Sequence, residues 1–157
     1  MSYRDIAVFL DGSLDNSARV EFALWLARQH GARLTGVDVN AEAAFGSEWS
    51  ERARALEDSF RTRAAQVGAD VRFRIAGREG RGWKDLYAHY ADLVIATQPD
   101  PETAPLLLPE VPEGVLTSAG VPMVVLPHGW KPRLGLEDVL IAWSPSWSLR
   151  HRRRHKG

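Results

Sequence analysis

Asp5-Ile6-Ala7-Val8-Phe9-Leu10, closed by Asp11-Gly12-Ser13, decides the fold class. The run from Ile6 to Leu10 has no polar position on either side of a strand, so it reads as a strand buried on both faces that stops at a turn. Strands of that kind belong to parallel sheets, in which helices cover both faces. The flanking sequence repeats the pattern. Asp15, Asn16 and Ser17 are helix-capping types, and a mostly apolar helix follows as far as His30. Gly31 suits the left-handed residue after a helix, and residues 33–39 form the next strand. Trp49, Ala53, Leu56, Phe60, Ala64 and Val67 step by three or four, one stripe of an amphipathic helix ended by Gly68. Residues 71–75 read as a third strand, and 92–96 and 121–126 as a fourth and fifth. A weaker helix is expected around Trp83, Leu86, Tyr87 and Tyr90, and Val111, Val115, Leu116 and Ala119 mark a fourth. The junctions His30-Gly31-Ala32-Arg33 and Val67-Gly68-Ala69-Asp70 are near copies, as successive β-α-β steps require. The expected fold is a doubly wound α/β domain with a five-stranded parallel sheet.

In such sheets ligands bind beyond the carboxyl ends of the strands, where the winding reverses. After the third strand the chain must return to the other side of the first, so the first and fourth strands flank that crevice. Their ends are Leu10-Asp11-Gly12-Ser13 and Ala96-Thr97-Gln98-Pro99, which makes Asp11, Gly12, Ser13, Thr97 and Gln98 candidate binding residues. Asp11 could accept hydrogen bonds from a ribose or a similar hydroxyl pair; equally, it could only cap its turn.

Composition narrows the function. The chain has 157 residues, 20 Lys+Arg, 20 Asp+Glu and no cysteine, so disulfides, thiol catalysis and cysteine-held metals are excluded. Residues 150–157 hold five of the basic groups and no acid, which leaves 15 basic against 20 acidic in residues 1–149. That mildly acidic body argues against a nucleic-acid surface. No charged-then-apolar leader opens the chain and no apolar stretch approaches membrane-spanning length, so a cytoplasmic protein without a membrane partner is expected.

The segment from Thr97 to Val111 has neither helical nor strand period. It carries Pro99, Pro101, Pro105 and Pro109 and no glycine. A phosphate cradle needs backbone N–H groups aimed at the anion, and glycine usually lets the backbone approach. Proline has no N–H, and Asp100, Glu102 and Glu110 repel a polyphosphate. Asp11 and Asp38 end the first two strands as in a phosphorylated receiver domain, but the third strand ends Ile75-Ala76-Gly77 with no aspartate to modify. The stretch from Asp11 to Ser17 lacks the paired glycines of the pyrophosphatase loop of adenylating enzymes. His30, His89 and His128 are isolated, no nucleophile–base pair is visible, and no metal site or catalytic residue is expected.

Tyr3-Arg4-Asp5-Ile6-Ala7-Val8-Phe9-Leu10-Asp11-Gly12-Ser13 resembles the opening strand and turn of universal stress proteins. Ala27-Arg28-Gln29-His30-Gly31-Ala32-Arg33-Leu34 is similar to their first helix-to-strand junction. Ala91-Asp92-Leu93-Val94-Ile95 and Gly120-Val121-Pro122-Met123-Val124-Val125-Leu126-Pro127 resemble their fourth and fifth strands. The resemblance covers residues 3–127. It implies sheet order 3-2-1-4-5, the adenine nucleotide alpha hydrolase-like arrangement, and homodimers made by pairing fifth strands, here from Val121 to Leu126. It also implies an adenosine side at Asp11 and at Val39, whose backbone would meet an adenine. Nucleotide-binding members carry three glycines and a Ser or Thr after the fourth strand; the matching positions here are Thr97, Asp100, Pro109 and Glu110, and every glycine is missing.

These readings together predict a non-enzymatic stress-response or regulatory module over residues 1–127 with a degenerate nucleotide site. No cofactor is expected; the alternative is a module that binds ATP or AMP through an altered phosphate loop. Residues 128–136 read as a linker and 137–143 as one extra strand. The segment from Leu136 to Trp143 resembles the first strand of a tandem second domain, but Ser144-Pro145-Ser146 replaces the expected turn. Residues 144–157 read as a basic, disordered tail. The remnant of a tandem protein cut short, a native solvated tail and a basic arm for nucleic acid are the three readings open for it. The segment from Leu136 to Trp143 is also expected to add to the dimer interface, because both of its faces are apolar.

Overall fold

Alternation along the strands builds two apolar layers from one sheet. In β1 (Asp5–Leu10), Ile6, Val8 and Leu10 enter one buried cluster, while Ala7 and Phe9 enter a second. The computed structural model describes residues 2–10, 16–39, 47–75, 90–98 and 121–131, with residues 47–50 placed by backbone alone. Among the described residues six further elements follow β1: α1 (Ser17–His30), β2 (Arg33–Asp38), α2 (Ser47–Gln66), β3 (Val71–Ile75), β4 (Leu93–Thr97) and β5 (Met123–Leu126). The five strands form one sheet in the order β3-β2-β1-β4-β5, and every neighbouring pair is parallel. The expected order and class are therefore observed. The helices expected near Trp83 and Val111, the third strand's Ala76-Gly77 end, residues 99–120 and everything after Lys131 lie outside the described residues.

The duplicated Gly-Ala junctions fold alike. Gly31 takes φ 60° and Gly68 φ 64°, the left-handed region that glycine enters without strain. After α1, Gly31 N–H donates to Arg28 O and Ala32 N–H to Ala27 O; after α2, Gly68 donates to Ala65 O and Ala69 to Ala64 O. Each pair satisfies the last helical carbonyls in a Schellman motif and aims the chain into the next strand.

Both helices pack on the face carrying Val8, Leu10 and Leu34. In α1, residues 19, 20, 22, 23, 24, 26 and 27 are buried, while Glu21, Arg28 and Gln29 are exposed on the opposite side. The α2 stripe behaves as its spacing predicts: Ala53, Phe60 and Ala64 are buried, and Leu56 and Val67 pack at the margin of the core. Phe60 lies over Gly36 of β2, where a Cβ would stand 3.0 Å from Cε1 of the ring. A strand glycine here admits the aromatic side chain of the layer above.

Beyond β5 the chain turns. Trp130 N–H donates to Pro127 O, Gly129 takes φ 70°, and the Trp130 ring meets Phe22 of α1 edge-on at 5.7 Å between centroids. The first residues of the expected linker thus pack on α1.

Candidate functional site

The sheet parts between its two central strands. β1 pairs with β2 as far as Leu10↔Asp38, and β4 pairs with β5 as far as Thr97↔Leu126. Between β1 and β4 the register ends at Val8↔Ile95. Each central strand thus continues with its outer neighbour after it has left the other, which opens a crevice at the carboxyl edge where the winding reverses.

Charged side chains close both ends of this short ladder. At the amino end, Asp92 Oδ2 accepts from the backbone N–H of Arg4 at 2.7 Å and of Asp5 at 3.1 Å, while Asp92 N–H donates to Asp5 O. The Arg4 and then the Asp5 hydrogen bond stabilise the carboxylate and hold the Asp92 carboxyl below its ordinary value of 3.8. At the carboxyl end, Arg19 of α1 is only 4% exposed. Its Nε donates to Thr97 Oγ1 at 2.5 Å, and its Nη1 donates to Phe9 O. The spacing carried a signal for Arg19 that the sequence reading did not use: it stands three residues before Phe22 and four before Ala23, on the buried stripe of its helix.

Of the predicted site residues, Val39, Thr97 and Gln98 are described, and Asp11, Gly12 and Ser13 lie outside the described residues. Val39 is buried, and its N–H donates to Leu10 O at 2.9 Å, which ties the end of β2 to β1. That N–H is therefore committed within the sheet, and the Val39 carbonyl is the backbone group that could meet a base. Thr97 turns its hydroxyl toward α1, and Gln98 N–H donates to Leu126 O at 2.7 Å. The structure thus sets Val39 beside β1 and Thr97 and Gln98 at the end of β4, on the two sides of the crevice. Next to Val39, the Asp38 side chain is fully buried, and its Oδ1 lies 3.6 Å from the Arg52 guanidinium of α2.

His30 packs edge-on against Tyr3, with ring centroids 4.8 Å apart, and so serves the helix end. Among the described residues no group of three or more metal-ligating side chains occurs. No helix among them is long and apolar enough to cross a membrane. A separate groove of about 540 Å³ between α1 and α2, lined in part by Leu24, Trp25, Arg28 and Arg63, lies on the helical face.

The model of the universal stress protein family matches residues 2–127. The chain belongs to the universal stress protein family. Solved structures of universal stress proteins share its fold. One, in complex with cAMP, superposes with a TM-score of 0.59 at 21% identity, over 80% of this chain and 98% of the other. The protein from Archaeoglobus fulgidus in complex with dAMP gives 0.58 at 19% identity, over 80% and 98%. Universal stress protein UspA from Lactobacillus plantarum gives 0.59 at 22%, over 80% and 99%. No curated protein sequence matches the chain.

Proposed function

We propose that this universal stress protein is a non-enzymatic regulatory module that holds an adenine nucleotide by its adenosine half, with a weakened phosphate side. The observation that carries the reading is the parting of β1 and β4 beyond Val8↔Ile95, with Val39 on one side and Thr97 and Gln98 on the other. The Val39 carbonyl is suited to accept from an adenine amino group, and Asp11, next after Leu10, supplies the carboxylate for ribose hydroxyls. Structural neighbours in complex with cAMP and dAMP support a ligand that carries a single phosphate. The segment from Thr97 to Val111, without glycine and rich in proline and acid, argues against a grip on further phosphates. The partner is a second copy of the chain, paired through β5, and the site works in the cytoplasm.

Isothermal titration of the full chain with AMP and with Mg-ATP tests the ligand. The two dissociation constants should agree within about threefold, and prolonged incubation with ATP should release no ADP above the buffer rate. At about 100 times its dissociation constant, AMP should stabilise the fold by about 2.7 kcal/mol. A preference of tenfold or more for ATP refutes the weakened phosphate side. Absence of AMP binding at millimolar concentration refutes the adenosine half.

A further inference from the structure

The chain leaves β5 onto the helical face. Gly129 takes φ 70°, and the Trp130 ring meets Phe22 of α1 edge-on at 5.7 Å between centroids. Phe22 in turn lies against Trp25, 5.8 Å away. Three aromatic rings thus run in a row from the end of β5 onto α1. Trp25, the last of them, lines the groove of about 540 Å³ between α1 and α2, and Leu24 and Val67 add apolar surface to it. Trp25 is only half-buried, so its ring still meets water. Apolar surface gathered in a concave place suits an apolar partner.

The charged side chains that line the groove are Glu21, Arg28 and Arg63, two cations against one anion. Arg28 is exposed and makes no ion pair with a described residue. Arg63 Nη2 donates to Ser17 Oγ at 2.7 Å, which leaves other N–H groups of its guanidinium for an acceptor. The sequence after Lys131 has the complementary make-up. Leu136-Glu137-Asp138-Val139-Leu140-Ile141-Ala142-Trp143 joins two carboxylates to six apolar residues and carries no basic group. Lys131 and Arg133, which precede it, have the sign that Glu21 attracts. Residues 131–135 separate this segment from Trp130, and five extended residues span about 17 Å. That exceeds the roughly 10–12 Å across a helix with its side chains. So short a tether presents the segment to the groove at an effective concentration of about millimolar, which favours it over a free partner of the same chemistry.

We propose that the segment from Leu136 to Trp143 docks in the groove between α1 and α2 of its own chain. Its carboxylates meet Arg28 and Arg63, and its apolar side chains cover Leu24, Trp25 and Val67. This goes beyond the nucleotide reading and does not rest on it. It takes the segment away from the dimer interface expected from sequence and leaves edge strand β5 to the second copy.

The chain has no cysteine, so introduced pairs test the contact cleanly. Gln66→Cys places a thiol on the exposed rim of the groove. It is combined in turn with Val139→Cys, Leu140→Cys, Ile141→Cys and Ala142→Cys in the full chain. A disulfide needs Cα atoms about 4.4–6.8 Å apart, so at least one pair should close within a single chain in more than about half of the molecules. Glu51→Cys, exposed four turns earlier on α2, should close with the same four positions in less than about a tenth. Failure of every Gln66 pair overturns the proposal. So does equal closure with Glu51→Cys, because the segment would then roam the surface. Disulfides that join two chains only also overturn it, since the segment then belongs to the dimer. Trypsin gives a second reading on chains without cysteine. Docking shields the bond after Arg133, and Arg28→Glu turns attraction for Glu137 and Asp138 into repulsion. Cleavage there should be about fivefold faster in Arg28→Glu than in wild type, and an equal rate overturns the proposal.

Discussion

Gly36→Ala tests the closest contact between the sheet and α2. A Cβ built on Gly36 lies 3.0 Å and 3.1 Å from Cε1 and Cζ of Phe60 and 3.2 Å from Cδ1 of Leu10, inside ordinary contact distance. Both neighbours are enclosed in the core. Phe60 is 1% exposed and lies tilted against Phe73 at 6.2 Å between centroids, and Leu10 is fully buried. Overpacking of this kind costs about 1–3 kcal/mol. The smaller entropy of an unfolded chain with alanine returns roughly 0.4–1 kcal/mol. A net loss of about 1–2 kcal/mol is expected, which lowers Tm by about 2–8 °C for a chain of this size. Because the ring is the obstacle, the loss should shrink below about 0.5 kcal/mol in a Phe60→Leu background, giving a coupling of roughly 1 kcal/mol in the cycle. Urea unfolding of wild type, the two single variants and the double variant measures each corner. A Gly36→Ala protein as stable as wild type, or an equal loss with and without the Phe60 ring, would refute the packing argument.

Asp92→Ala should lower stability at pH 7 and leave a smaller difference at pH 3. The native Asp92 pKa is depressed, so its contribution is present above the unfolded value and is lost as pH falls through the folded one. Urea midpoints at the two pH values check this, and a difference that grows on acidification contradicts it. Val125→Lys places a charge on the exposed side of edge strand β5, where Val125 is 38% exposed. Sedimentation should show a shift from dimer to monomer, and an unchanged dimer would exclude β5 as the interface. Gly31→Ala forces an L-residue to φ 60° and should cost about 1–2 kcal/mol by thermal melting, with secondary structure retained.

The class of fold was legible because burial on both faces leaves the central strands β1 and β4 almost no polar positions. β1 and β3 have the expected bounds, β1 from its apolar run and β3 from alternation after the glycine that ends α2. Ends defined only by a change in polarity were less secure. β4 runs from Leu93 to Thr97, one residue later than expected, because Asp92 uses its side chain and N–H to clamp β1. β5 begins at Met123 and not at Val121, since Pro122 contributes only its carbonyl, to Val94 N–H. The strand ends that form the crevice were readable from topology. For Arg19 the spacing signals burial on the inner side of α1, but its bonds to Phe9 and Thr97 show only in three dimensions. The role of Gly36 was not read from the sequence, because nothing local shows that Phe60, 24 residues later, lies over it.

The graded burial of the sheet has a consequence for how the molecule breathes. β1 is buried from Ile6 onward and β4 from Leu93 to Ala96, whereas β3 and β5 each bury one residue. Amide protons of β3, the edge strand that the proposed dimer leaves uncovered, should therefore exchange through local detachment of an outer strand, at a fraction of the full unfolding free energy. Those of Ile6, Ala7 and Val8, held between β2 and β4, should exchange only when the whole domain opens. The crevice is thus anchored to the slowest part of the chain, and the β3 margin of the sheet can open and close while the ends of β1 and β4 keep their places.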